Sequence, residues 1–189
     1  MEAYAAGQRA FGENYLQEAV DKMAALKDRT PGIEWHFIGP IQSNKTRPIA
    51  ENFAWVHSVD RLKIAERLSE QRPARLPPLN ICIQVNVSGE ASKSGCSPQD
   101  LPALAHAAAG LPRLRLRGLM AIPEPASTEA EQRRPLRTLR ELADQLRTEC
   151  LALDTLSMGM SADLAPAIAE GATMVRIGTA IFGERHYAK

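Results

Sequence analysis

The sequence predicts an α/β protein of the (β/α)8 barrel class, a TIM barrel with seven of its eight strands visible. Three observations carry this expectation. Short apolar runs alternate with longer amphipathic stretches, the pattern of a parallel sheet with crossover helices. Two runs, Ile81-Cys82-Ile83-Gln84-Val85 and residues 116–122, are apolar enough for burial on both faces. The tail, MGMSADL at 158–164 and VRIGTAIFG at 175–183, feeds two consecutive strand ends into two helix starts. Backbone N–H groups at such starts attract anions, and the last two loops of a barrel of this kind commonly hold a phosphate.

The elements follow in order. The chain opens inside the last turns of a helix, with Gly7 as its C-cap, and residues 9–11 form the first strand. Leu16, Ala19, Val20, Met23 and Leu26 fall at helical spacing. Strands are predicted at 35–38 and 55–58; Asp60 then caps a helix striped by Leu62, Ala65 and Leu68. A strand over 80–87 leads to Ser97-Pro98, the cap-then-proline order of a helix start, continued by Leu101, Leu104 and Ala108. After a strand at 117–121, Leu136, Leu139, Leu142, Leu146 and Cys150 define a long helix whose charged run, 129–140, reads as a solvated face. Strands at 155–157 and 174–177 close the series. The missing βα unit is expected before Met1, which makes residues 1–189 a single, N-terminally truncated domain. An open doubly wound sheet competes, but FGENY after the first strand is not the glycine-rich fingerprint of that fold.

Bulk properties narrow the function. A net charge of +1 in 189 residues implies no strong field for nucleic acid or a membrane surface. Cys82, Cys96 and Cys150 are widely spaced, which argues against a disulfide framework or zinc site and fits a reducing cytoplasm. There is no signal-peptide pattern and no apolar run of membrane-spanning length.

Ser161 has two readings from its position alone: a helix N-cap, or a phosphate ligand acting through Oγ with the amides of Ser161 and Ala162. Gly178 serves a turn or admits a phosphate oxygen to the backbone, with the Thr179 hydroxyl as a further donor. Arg176, flanked by Val175 and Ile177, would ordinarily pair with a carboxylate inside a barrel. Asn14 reads as a turn residue, His36 and Met120 as core, and His57 as structural.

FGENY at 11–15, WHFIGPIQSNK at 35–45, VNVSGEASKSG at 85–95, RGLMAI at 117–122, SMGMSADL at 157–164 and VRIGTAIFG at 175–183 resemble the pyridoxal phosphate homeostasis protein family, itself related to the alanine racemase barrel. The matches run in family order over nearly the whole chain. The resemblance implies a non-catalytic protein of vitamin B6 metabolism that binds pyridoxal 5′-phosphate (PLP) in the cytoplasm. It implies PLP contacts at Asn14, His36, Met120, Ser161, Ala162, Arg176, Gly178 and Thr179, with Arg176 facing the pyridine nitrogen. A guanidinium there donates and keeps its proton, which makes the ring a weaker electron sink.

The family lysine that holds PLP as a Schiff base is absent from these residues, so weak, non-covalent binding is expected. Lys45 and Lys93 lie at the expected mouth, but imine geometry is too exacting for an unrelated loop to replace that lysine. The resemblance also points to PLP-dependent apo-enzymes as partners and to a monomer if the barrel is complete. Two other readings remain: a PLP-dependent amino-acid racemase-like enzyme, and a barrel for another phosphorylated metabolite. The first needs a lysine and a second acid/base that these residues do not supply.

Overall fold

The computed structural model describes residues 1–89 and 94–183. Lys93 lies outside the described residues, so its place is not assigned. The elements are α1 (Glu2–Ala5), β1 (Ala10–Glu13), α2 (Leu16–Leu26), β2 (Glu34–Phe37), a 3-10 turn (Ser43–Lys45), α3 (Thr46–Asn52), β3 (Trp55–Val59), α4 (Leu62–Gln71), β4 (Leu79–Gln84), α5 (Leu101–Ala109), β5 (Leu114–Met120), α6 (Glu129–Thr148), β6 (Thr155–Ser157), α7 (Leu164–Ala169) and α8 (Thr179–Phe182).

Six strands form one parallel sheet in the order β1-β2-β3-β4-β5-β6, each beside its neighbour in sequence. The sheet is strongly curled. A flat sheet would hold β3 and β6 about 14 Å apart. Yet His57 Nδ1 of β3 lies 2.7 Å from Ser157 Oγ of β6. The helices cover the convex face, where Phe37, Val56, Ile81, Ile83, Leu116, Leu119 and Leu156 join Ile64, Leu68, Leu101, Leu136 and Leu139 in the main core. The alternate strand residues face the concave side, where Trp55, Cys82 and Met120 make a second, smaller cluster. Period-2 alternation thus builds two interiors, one greasy and one polar-lined.

The sequence predicts a seventh strand at 174–177, and hence seven strands of a barrel; the described residues form six. Met174 makes only a single parallel bridge to Ser157. Met158 N donates to Met174 O, but Arg176 N then donates to Gly159 O, one residue beyond the position a regular parallel ladder reaches. Gly159 has φ +94° and inserts the extra residue, as in a β-bulge. A side chain at 159 would meet the Ala167 Cβ at 2.5 Å, so the bulge also needs glycine for space. Gly118 has a comparable steric reason: a Cβ there would sit 1.7 Å from the Thr155 carbonyl oxygen, so its absence lets β5 and β6 pair.

Smaller expectations also shift. The long helix carries a full capping box, Thr128 with Glu131, and buries Leu136, Leu139, Ala143 and Leu146. Its charged run is not simply a solvated face. Arg133, Arg137 and Arg140 converge on the fully buried Glu170 carboxylate at 2.7, 3.1 and 2.8 Å. Spacing of i, i+4 and i+7 puts the three on one side of α6, and Glu170 caps the end of α7 beside them. Arg61, not Asp60, is the N-cap of α4, and Leu62 is exposed. The helix announced by Ser97-Pro98 begins at Leu101, because Ser97 and Asp100 first close a turn through Ser97 Oγ. Cys150 lies past α6 with φ 67°. No helix among the described residues is long and apolar enough to cross a membrane.

Candidate functional site

Two features meet at the C-terminal end of the sheet, a pair of exposed hydroxyls and a buried polar chain that ends on Arg176. The hydroxyls come from the two loops after β6. Ser161 is not an N-cap. That position of α7 belongs to Asp163, whose Oδ1 accepts from Met160 N at 2.7 Å and pins the turn. Ser161 Oγ is therefore free of helix duty and lies 3.3 Å from Thr179 Oγ1, which donates to it. Gly178 is the N-cap of α8, with Thr179 as the first helical residue. Ser161, Ala162, Gly178 and Thr179 are all exposed. Two hydroxyls converging from adjacent turns, with small residues on either side, can both turn toward one acceptor oxygen placed beside them.

Among the described residues Arg176 is paired with no carboxylate. Its Nη1 donates to Ser157 Oγ at 2.8 Å and its Nη2 to the Ala121 carbonyl at 2.8 Å. Burial lowers its pKa to about 10, which still leaves it charged at neutral pH. From Ser157 the chain crosses the concave side to Glu34, whose carboxylate is half exposed. His57 Nδ1 is 2.7 Å from Ser157 Oγ, His57 Nε2 is 2.9 Å from His36 Nδ1, and His36 Nε2 is 3.0 Å from Glu34 Oε1. Burial holds His57 neutral, with its pKa pushed down to about 3, helped by repulsion from His36 and Arg176. Burial lowers His36 as well, against the pull of Glu34.

Below this chain the concave side is filled. The His36 and Trp55 rings stack 8° from parallel with centroids 5.4 Å apart. The Arg117 guanidinium lies 4.7 Å over the Trp55 ring and is held by Asp154 at 2.7 Å and by Asn80. The Cys82 thiol is pushed up to about 12 by burial, so it stays protonated.

The structure therefore unites part of the expected set. Ser161 and Thr179 touch. Arg176 and His36 are linked through Ser157 and His57. Met120 is buried beside Trp55 and Cys82 and pairs in register with Ser157. Asn14 sits half-buried just past β1, where its backbone carbonyl packs against Gly39, and no contact joins it to Arg176 or Ser161. Lys45 ends the 3-10 turn after β2. Sequence reasoning missed Ser157 and Glu34, and it gave His57 no functional part. The available signal was strand alternation. Glu34, His36, Trp55, His57, Thr155 and Ser157 all occupy the parity that faces away from the helices.

Residues 1–186 match the alanine racemase N-terminal domain family. A pyridoxal phosphate homeostasis protein of Pseudomonas aeruginosa is 71% identical over 186 residues, which cover 98% of this chain and 79% of that protein. One from Escherichia coli K12 is 58% identical over 189 residues, covering 100% of this chain and 81% of its own length. Among solved structures, PipY of Synechococcus elongatus with PLP bound superposes with a TM-score of 0.88 at 43% identity, covering 96% of this chain and 85% of that one. Alanine racemase from Corynebacterium glutamicum, at 20% identity, shares the fold with a TM-score of 0.71 and covers 98% of this chain but 50% of the enzyme.

Proposed function

This chain belongs to the pyridoxal phosphate homeostasis protein family, and from that premise we propose that it binds PLP and serves PLP homeostasis without catalysing a reaction. The observation that carries the reading is the pairing of two different donor groups at one end of the sheet. The exposed Ser161 and Thr179 hydroxyls suit a phosphate, while Arg176, anchored through two of its nitrogens, suits an acceptor on a flat ring. When bound, PLP supplies an aldehyde and an electron-withdrawing ring. Ser161, Ala162, Gly178 and Thr179 would hold the phosphate, Arg176 would meet the ring nitrogen, and Asn14, His36 and Met120 would bound or support the ring.

The non-catalytic part of the reading draws on the protonation states of the concave side. A general base needs a pKa near the working pH. His57 is neutral and fully engaged, Arg176 only donates, and the Cys82 thiol does not ionise near neutrality. We read the curled sheet as the wall of a (β/α)8 barrel and the chain as one PLP-binding domain. On this reading it works as a cytoplasmic monomer that passes PLP to PLP-dependent apo-enzymes.

Titration with PLP, followed by visible absorption and calorimetry, tests the reading. Saturable binding of one PLP per chain is expected, with pyridoxal, which lacks the phosphate, binding at least about a hundredfold more weakly. Thermal stabilisation by a phosphosugar with no response to PLP would replace this reading with that of a barrel for another phosphorylated metabolite.

A further inference from the structure

We propose that Ser157 and His57 are positioning residues for Arg176: with His36 and Glu34 they form a one-way chain of hydrogen-bond donors that fixes the plane of its guanidinium. The proposal rests on the reading of this end of the sheet as the PLP site and adds residues that contact no ligand themselves.

The direction of the chain follows from its two ends. A guanidinium has five N–H donors and no acceptor, and an ionised carboxylate only accepts. Ser157 Oγ must therefore accept from Arg176 Nη1. The hydroxyl proton is then available to its other neighbour, His57 Nδ1 at 2.7 Å. A neutral imidazole has one donor and one acceptor nitrogen. With Nδ1 accepting, His57 Nε2 carries the proton and donates to His36 Nδ1 at 2.9 Å. The same rule makes His36 Nε2 the donor to Glu34 Oε1 at 3.0 Å. Each link has one donor and one acceptor, and both imidazoles take the Nε2–H form.

Ser157, His57 and His36 are 0%, 1% and 3% exposed, so water does not compete for the bonds among them; the Glu34 end of the chain is open to solvent. The other charged or titratable groups that face the chain come from β4, β5 and the residues flanking β6. They are the protonated Cys82 thiol, the Arg117–Asp154 pair, and Asp163, which attracts Arg176. None of them is hydrogen-bonded to the imidazoles. With Nη1 held by Ser157 and Nη2 by Ala121, the guanidinium is fixed at two points, and its remaining N–H groups keep one orientation. Losing the Ser157 hydroxyl leaves one anchor. A further proton on His57 flips the Ser157–His57 link, because Nδ1–H of His57 then donates to Oγ and the Ser157 hydroxyl proton loses its acceptor.

Two measurements test this. Long-range ¹H–¹⁵N NMR on the ligand-free protein at neutral pH should show His36 and His57 both neutral with the proton on Nε2. Either ring in the Nδ1–H form, or charged, overturns the chain. Ser157→Ala and His57→Phe should each weaken PLP binding by about tenfold, the weight of one hydrogen bond to a charged group, and shift the visible absorption of bound PLP. Ser157→Thr should restore both, and affinity for inorganic phosphate should be unchanged in all three. PLP affinity and spectrum unchanged in Ser157→Ala overturn the positioning role; equal losses for PLP and inorganic phosphate would mean a merely structural one. If the wild-type chain binds no PLP, the functional reading fails, while the tautomer pattern, recorded without PLP, still decides the donor chain.

Discussion

Combining Ser161→Ala with Thr179→Val is expected to lower PLP affinity at least a hundredfold while leaving pyridoxal affinity unchanged. The two hydroxyls are exposed and lie 3.3 Å apart, so neither supports the core. Hydrogen bonds to a charged acceptor are worth about 1.5–3 kcal/mol each, so the pair contributes about 3–6 kcal/mol. Thr179→Val keeps the side-chain volume, and Ser161→Ala removes no cap, because Asp163 fills that position. The unfolding midpoint should therefore not move. Calorimetry with both ligands reads the result. Unchanged PLP affinity would place the phosphate elsewhere, and an equal loss for pyridoxal would show that the variant had disturbed the ring side.

The second large effect is a loss of stability in mild acid. His57 is neutral in the fold, with its pKa down at about 3 against 6.5 for a free imidazole. Between those values the unfolded chain binds a proton that the folded chain refuses, so stability falls as the pH falls. The slope for one such group is about 1.4 kcal/mol per pH unit. From pH 6.5 to 4.5 this amounts to about 2 kcal/mol, since the slope is only half developed at pH 6.5, and that is a large fraction of an ordinary domain's stability. His36, lowered in the same direction, adds to it. The carboxyls of Glu170 and Asp154, held below their usual range by their arginine partners, take their share only at lower pH. Urea unfolding at half-unit steps measures the curve. His57→Gln should flatten it above pH 4.5, and a wild-type curve already flat there would contradict the burial argument.

Strand alternation and helix stripes were enough to place six strands and the helices after β1, β3, β4 and β5, because each is a local pattern; the short α3 between β2 and β3 was not foreseen. The seventh strand failed on a non-local fact. Residues 174–177 are as apolar as a strand, but Gly159 shifts their partner by one residue, and nothing in 174–177 announces that. The pairing of the Ser161 and Thr179 hydroxyls was legible because glycine, serine and threonine mark the turns after strands. The support for Arg176 was not. A serine, two histidines and a glutamate on β2, β3 and β6 meet only when the sheet curls, and curl is a property of the whole sheet. The arginines of α6 were misread for a related reason, since their partner Glu170 lies 30 or more residues away.

That clamp has a consequence for how the molecule breathes. α7 has six residues, too few to persist as a helix alone, and its first turn follows directly from the loop that carries Ser161. Its rigidity is borrowed from α6, a helix of twenty residues with its own capping box. The Ala167 methyl, packed into the space at Gly159, is one fastening, and Glu170 under three guanidinium groups is the other. Both fastenings grip the C-terminal half of α7, and the hydrogen bond from Met160 N to Asp163 Oδ1 holds the turn that precedes it. Its backbone amides are expected to open to solvent exchange only when α6 lifts away, so that hydrogen exchange finds the Ser161 turn and the long helix in one cooperative unit.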